Sequence, residues 1–271
     1  GADTVVIQEI VRAEDDRIFV PPKQRMGQNV RRAGEDLRAG SPAIRAGKRL
    51  RPAELGLIAS IGIGEVAVRR RPRVAFFSTG DELASIGTPL KEGEVYDSNR
   101  YTLHGMLARL DCEIVDLGVV RDEPAALEAA FRQASEADAI VTSGGVSVGE
   151  ADFIRGLMAK LGEVAFWKIA MRPGRPMAFG RIGSGTKSAW LFGLPGNPVA
   201  VMVTFHAVDR EALLKMMGVA PIEPLPQFRV PCVTPLKKRP GRSEFQRGVL
   251  FRENGEWKVR ATGTQGSGVL R

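Results

Sequence analysis

The chain is poor in the residue types that most often announce a chemistry. Its 271 residues include two cysteines and two histidines. Cys112 and Cys232 cannot build a disulfide framework or a cysteine-based zinc site, and this usage suits a reducing compartment. His104 and His206 are too few for an imidazole-rich metal site. Aromatic residues make up only 6% of the chain, and no RNA- or DNA-binding signature is present, which argues against nucleic acid as a partner. No apolar run approaches the ~18 residues of a membrane span, and no signal peptide opens the chain. The expectation is a cytoplasmic protein with neither membrane nor nucleic acid among its partners.

Bends and cations are what the chain has in quantity. Thirty-one glycines and 17 prolines fall largely into short motifs, and 39 Lys+Arg against 31 Asp+Glu leave a formal charge of +8. That balance suits an anionic partner, and the dispersed cations favour a small phosphorylated molecule over a nucleic-acid stripe. A hydrophobic share of 44% supplies a sizeable core, and the length predicts about two compact units. Gly1 stands where an initiator Met would be, and the chain stops at Arg271 just after a glycine-rich turn. It reads as a piece of something longer.

The pattern divides the chain into four parts. Residues 1–38 alternate apolar and polar positions and are expected to be short strands, the end of a β-rich domain. Residues 39–71 hold one helix, predicted within 47–71 with Pro52 in its first turn and Gly62 and Gly64 at its end, followed by the linker Arg69-Arg70-Arg71-Pro72. Residues 72–218 alternate short apolar strands with helices. Strands are expected at Val74–Phe77, Glu113–Leu117, Ala139–Thr142 and Trp190–Phe192. Helices are expected near 98–110, 124–137, after Asp152 and over 198–217. This is an α/β pattern, a doubly wound, mostly parallel sheet with helices on both faces, whose ligands sit at the carboxyl ends of the strands. Residues 219–271 return to strand alternation as a partial β domain, with Asn254-Gly255 as a hairpin turn.

Four stretches could carry chemistry. Thr142 to Asp152 takes a strand into a glycine-rich loop and then a helix. Gly144 and Gly145 let the backbone approach a ligand, helix amides attract an anion, and Ser143 and Ser147 offer hydroxyls. Glu150 and Asp152 would repel a bare phosphate, so the stretch suggests phosphate chemistry with a divalent cation. A tight turn with a capping Asp is the plainer reading. Gly145-Val146-Ser147-Val148-Gly149 also fits a nucleophile elbow, but the downstream His206 lies in an apolar helix and makes a poor base. Glu82, Asp122 and Asp152 end three separate strands, and their convergence suits a Mg²⁺ site or attack on a phosphoryl group; each alone could be a helix cap. Lys168, Arg172 and Arg175 gather three cations on a strand and bend suited to oxyanions, or form only a solvated basic turn. Leu194-Pro195-Gly196-Asn197-Pro198 opens a helix whose amides could face the same site.

Seven motifs in this order resemble the molybdopterin molybdenumtransferases, the MoeA type that includes the gephyrin E domain. They are Gln28 to Asp36, Ser78 to Leu83, Asp97 to Arg100, Ser143 to Asp152, Lys168 to Pro176, Leu194 to Pro198, and Pro240 to Arg247. The resemblance spans essentially the whole chain and makes residues 72–218 a MogA-like α/β domain that carries the active site. It implies that molybdate and adenylylated molybdopterin enter, the metal is inserted and AMP leaves in the presence of Mg²⁺. It further implies a homodimer with a shared site, working beside molybdopterin adenylyltransferase and other proteins of the pathway. By motif, Glu82, Asp122 and Asp152 match acidic residues that handle Mg²⁺ and adenylate. Arg31 and Asp36 match a loop contributed across the dimer. Lys168, Arg172, Arg175, Arg247 and Ser267 match positions tied to pterin phosphate or molybdate. Ser78, Thr79, Gly80, Asn99, Ser143, Gly144, Gly145, Ser147, Pro195 and Pro198 complete the expected substrate-binding set. The family usually has Lys where Arg172 and Arg175 stand, and often Ser at Ala200. Its P-x-x-x-x-S-x-M-D-G-Y-A segment is expected ahead of Gly1. The alternatives are the pathway's adenylyltransferase, which lacks the flanking domains, and a gephyrin-like scaffold.

Overall fold

The computed structural model describes the chain except Gly1, residues 146–150 and 184–186, Arg239, Ser267 and Arg271; of residues 151–153 and 155 it describes the backbone alone. The chain separates into two units, Gly1–Val66 and Ala67–Arg271.

The first unit holds a short hairpin, β1 (Arg12–Glu14) and β2 (Arg17–Phe19), and one helix, α1 (Pro52–Ser60). The helix predicted within 47–71 is thus confined to nine residues. Pro52 occupies its first turn, where a missing N–H costs nothing, and Glu54 reaches back to the Arg51 amide at 2.8 Å. Ile61 to Val66 leave the helix, and Leu55 on it is exposed. No described residue of this unit is buried.

The second unit is built on a six-stranded sheet. Its members are β3 (Arg73–Thr79), β6 (Glu113–Val120), β7 (Ala139–Ser143), β8 (Gly162–Lys168), β10 (Pro176–Ile182) and β11 (Ala189–Leu194), with β4 (Leu83–Ala84), β5 (Val95–Tyr96) and β9 (Met171–Arg172) as short flanking pieces. The spatial order is β6-β3-β7-β11-β10-β8. The pairs β6/β3, β3/β7 and β7/β11 are parallel, whereas β11/β10 and β10/β8 are antiparallel. The sheet is therefore mixed. The residues around Trp167 and Met177 form an antiparallel extension, since Gly162 follows directly on the helix α4 (Ala151–Leu161) and a short bend at Gly174 separates β9 from β10.

Alternation along the parallel strands explains the two layers. Val74 and Phe76 of β3 face one side with Val141 and Phe192, covered by α2 (Ser98–Arg109), α5 (Pro198–Thr204) and α6 (Arg210–Met216). Ala75 and Phe77 face the other side with Ile140 and Leu191, covered by α3 (Pro124–Ala134) and α4. Burial on both faces is why β3 reads as a continuous apolar run. Helices start where the sequence supplies a stop for the strand: the Asp97 carboxylate accepts the Arg100 amide at 3.1 Å, and Pro124 and Pro198 open α3 and α5.

The helix predicted over 198–217 contains a widened π turn, Phe205–Asp209, between α5 and α6. After Gly218 the chain runs through an irregular segment to β12 (Ser243–Glu244) and a hairpin, β13 (Gly248–Glu253) and β14 (Glu256–Ala261). Asn254 and Gly255 form its two-residue turn with φ of 52° and 82°, the left-handed pair such a turn requires.

Candidate active site at the carboxyl ends of the strands

The chain winds outward in opposite directions from β3 and β7, so their carboxyl ends mark the switch point where a crevice must open. Ser78 and Ser143 end these neighbouring strands, and the Ser143 hydroxyl donates to Ser78 Oγ at 2.9 Å, both residues buried. Gly144 and Gly145 follow with φ of 92° and 68°. A Cβ on Gly144 would lie 2.3 Å from the Thr79 carbonyl oxygen, so only glycine lets the β7 loop close onto the end of β3. Thr79 Oγ1 is buried here without a hydrogen-bond partner among the described residues. Ser147 and Ser267 lie outside the described residues, as does the side chain of Asp152.

Beside this crevice lies a cavity of about 1080 Å³. One wall is the bend from Arg172 to Pro176. A second is the start of α2 with Asp97, Ser98 and Asn99, and a third is Pro195 to Pro198. The fourth comes from the C-terminal segment, with Lys237, Glu244, Phe245, Gln246 and Gln265. That segment is seated by parallel pairing of β12 with β9, through Ser243 N to Ala170 O and Phe245 N to Arg172 O, each 2.8 Å. The Asn99 side-chain amide donates to the Gly196 carbonyl at 2.7 Å and ties two walls together.

Of the residues expected from sequence, Glu82, Asn99, Arg172, Arg175, Pro195 and Pro198 line this cavity. Ser78, Thr79, Gly80, Ser143, Gly144 and Gly145 occupy the adjoining strand ends. The Glu82 carboxylate folds back over Gly80, where an ideal Cβ would meet it at 2.6 Å. Asp122 follows β6, and its amide donates to Asp81 Oδ1 at 3.3 Å, so the Asp81 carboxylate joins the ends of β3 and β6. Lys168 ends β8 with an exposed side chain and is not among the cavity residues. Arg247 is turned to the C-terminal loop, where Nη2 donates to the carbonyls of Thr264 (2.7 Å) and Gly266 (3.1 Å). Arg31 and Asp36 belong to the first unit, both exposed.

The cavity carries charge of both signs, Arg172, Arg175 and Lys237 against Glu82, Asp97 and Glu244. Arg172, Arg175 and Lys237 make no ion pair among the described residues, whereas Glu244 is held by Arg242 at 3.0 Å. That hydrogen bond keeps the Glu244 carboxyl below its usual range. One oxygen of Asp97 caps α2, and the other is buried without a hydrogen-bond partner among the described residues. Two guanidinium forks and an ammonium beside the first turn of α2 therefore face open space, an arrangement suited to a multivalent oxyanion. Among the described residues no three His, Cys, Asp or Glu side chains gather as a metal-holding group. None of their helices is long and apolar enough to cross a membrane. Lys237, Asp81, Tyr96 and Phe245 were not expected from sequence. Phe245 stands inside the Pro240 to Arg247 motif, which is the sequence signal it offers.

Comparison with known proteins gives a consistent pattern. Residues 75–215 match the model of a probable molybdopterin binding domain. Residues 1–62 match the MoeA N-terminal region (domains I and II), and residues 229–271 the MoeA C-terminal region (domain IV). The chain is 44% identical over 98% of its length to a molybdopterin molybdenumtransferase of Haemophilus influenzae, covering 66% of that protein. It is 38% identical to one from a Nostoc species, over 81% of this chain and 51% of that one. The whole chain superposes on 64% of the MoeA molybdopterin biosynthesis protein of Pyrococcus horikoshii with a TM-score of 0.74 and 28% identity. It spans between about half and two thirds of the length of these relatives.

Proposed function

Because the chain belongs to the molybdopterin molybdenumtransferase family of the MoeA type, we propose that it inserts molybdenum from molybdate into adenylylated molybdopterin and releases AMP, the last step of molybdenum cofactor synthesis. One observation carries this reading: the unpaired cations Arg172, Arg175 and Lys237 face a cavity far larger than an oxyanion needs, beside a glycine-lined crevice. Molybdate is a tetrahedral dianion, and the guanidinium forks supply the paired donors it requires. The pterin dithiol then replaces oxygen on the metal, and the displaced oxygen leaves as water with the two thiol protons.

Release of AMP is hydrolysis of a phosphoric anhydride. One water is consumed, the anhydride P–O bond breaks, and the two products carry the added hydroxyl and proton. The Gly145 amide can receive a phosphoryl oxygen, while Glu82 and Asp122, which follow the neighbouring strands β3 and β6, can orient the attacking water. Mg²⁺ fits this donor set as an ion carried by the substrate's phosphates, with one or two carboxylates from Glu82, Asp122 and Asp152 completing its shell. Bound there, it would neutralise charge developing on the phosphoryl oxygens. Ser147, Ser267 and Lys168 are proposed to contact the phosphate or oxyanion, and Arg247 to shape the C-terminal loop beside the cavity.

The reading includes a cytoplasmic homodimer that receives its nucleotide from molybdopterin adenylyltransferase. Its support is the first unit, which exposes Ile10, Ile18, Phe19 and Val20 and buries no described residue. Such a unit gains by covering a second copy, and Arg31 and Asp36 would then serve the partner's cavity. The test is AMP release from adenylylated molybdopterin, followed chromatographically with and without molybdate. Release that depends on molybdate and falls at least ten-fold in Arg172→Ala is expected. Release indifferent to both would refute the assignment, and synthesis of the adenylate from ATP would give the chain to the adenylyltransferase instead.

A further inference from the structure

The oxyanion reading leaves most of the cavity without an occupant. At about 1080 Å³ it lies at the upper end of small-molecule sites, which run to roughly 1,000 Å³ and are lined by apolar and aromatic groups. Aromatic residues are scarce in this chain, yet Tyr96 and Phe245 both line this one cavity. Tyr96 is anchored at its far end, its hydroxyl donating to the Thr88 carbonyl at 2.9 Å. Phe245 is different. Its backbone is fixed by the bond from its amide to the Arg172 carbonyl, while its side chain is 48% exposed and makes no ring contact among the described residues. An open phenyl ring on a hydrogen-bonded ladder, in a cavity that Pro173 and Pro235 also line, is costly in water and is stabilised when a flat apolar surface covers it.

We infer that Phe245 is the ring platform of this cavity and stacks the bicyclic pterin of the substrate. The inference rests on the function proposed above. It identifies the ring as the pterin by connectivity: the metal becomes bonded to the pterin's dithiolene, so the ring beside the oxyanion cations must be the pterin, whereas the adenylate belongs to the glycine crevice. The ladder adds a second consequence. Glu244 is paired with Arg172 and the Phe245 amide is bonded to the Arg172 carbonyl, so the platform and the cation clamp are two side chains of one short β ladder. With that ladder formed, the backbones of Arg172 and Phe245 lie side by side, which positions pterin and molybdate relative to each other.

The experiment titrates the full chain with neopterin, a fluorescent pterin without an anionic tail, and separately with molybdate and AMP. The variants are Phe245→Ala, Phe245→Leu and Phe245→Trp. Losing one aromatic platform weakens a stacked heteroaromatic by about ten-fold. The expected result is that loss for neopterin in the Ala and Leu variants, retention in Trp, and unchanged binding of molybdate and AMP in all three. Neopterin affinity equal in wild type and Phe245→Ala, an equal loss in Phe245→Trp, or a loss confined to AMP would each overturn the platform. Failure of the wild-type chain to bind neopterin at millimolar concentration would do the same. Should neopterin behave as expected while molybdate binds to none of the proteins, the metal-insertion reading fails and the platform stands.

Discussion

Asp209 is the residue whose replacement tests the physical account of the core most directly. It lies at the end of the π turn Phe205–Asp209, is wholly buried, and neither carboxyl oxygen has a hydrogen-bond partner among the described residues. An uncompensated polar group costs about 1–3 kcal/mol, and the ionised form would cost far more, so burial pushes the pKa well above the usual carboxylate range. The unfolded chain releases this proton near pH ~3.9, whereas the folded chain keeps it. Between those two points the folded state binds more protons, so its stability falls with rising pH, by up to about 1.4 kcal/mol per unit, until the folded pKa is passed. Asp209→Leu removes both the polar penalty and the proton linkage. For a unit of this size, about 2–4 °C per kcal/mol, relief of the polar penalty alone should raise the melting temperature by ~2–12 °C over wild type at pH 7. The gap should narrow toward pH 4, and Asp209→Asn should abolish the pH slope with a smaller gain. Thermal melts by circular dichroism between pH 4 and 8 read all three. Both variants melting below wild type at pH 7, or a gap that does not change with pH, would refute the reasoning and give the carboxyl a partner.

Three further outcomes follow from the same geometry. Gly144→Ala places a Cβ 2.3 Å from the Thr79 carbonyl oxygen at a φ of 92°; it should cost about 2–4 kcal/mol in urea unfolding, and a cost under about 1 kcal/mol would mean that the loop relaxes freely. Asp138 is held below its usual pKa chiefly by the Arg70 hydrogen bonds (2.6 Å each) and also by the Arg73 amide. Its contribution is present above pH ~4 and lost as pH falls through the lowered value, so Asp138→Asn should destabilise by about 1 kcal/mol or less for this solvent-screened pair, the difference vanishing in acid. Arg175→Ala should weaken molybdate binding measured by calorimetry and reduce its salt dependence, while Arg175→Lys retains part of both; an unchanged isotherm would remove Arg175 from the oxyanion site.

What was legible in the sequence follows from how locally each feature is determined. Val74 to Phe77, buried on both faces, announces itself as a central strand without reference to anything else, and Pro124, Pro198 and Asn254-Gly255 mark their helix starts and hairpin by their own stereochemistry. The antiparallel extension β10/β8 was not legible. Its strands resemble parallel ones in composition, and only the short bend at Gly174 decides their direction. The π turn was hidden for a related reason, since one residue inserted into a helix leaves the apolar pattern nearly intact over 198–217. The helix within 47–71 was legible at both ends, since Pro52 opens it and Gly62, at a φ of 77°, follows its C-terminal cap at Ile61. At the site, motif and spacing brought out Arg172, Arg175, Glu82 and Asn99, which are placed by the strand ends that carry them. Tyr96, Lys237 and Phe245 reach the same cavity through tertiary pairing, which no local pattern encodes.

That difference has a mechanical consequence for the cavity. Two of its walls, Arg172 to Pro176 and Pro195 to Pro198, adjoin strands of the six-stranded sheet, and the third, the start of α2, is tied to them by the bond from Asn99 to Gly196. The fourth wall is joined to β9, in the bend between β8 and β10, through the two residue pairs of β9/β12, with a bond on either side. A ladder of two pairs is the weakest unit of sheet that can still set a register. The wall carrying Phe245 and Lys237 thus hangs on a short backbone link. Opening there would break the few hydrogen bonds of that ladder and leave the other three walls intact, so entry of substrate need not disturb the cation clamp on Arg175 or the glycine crevice behind it.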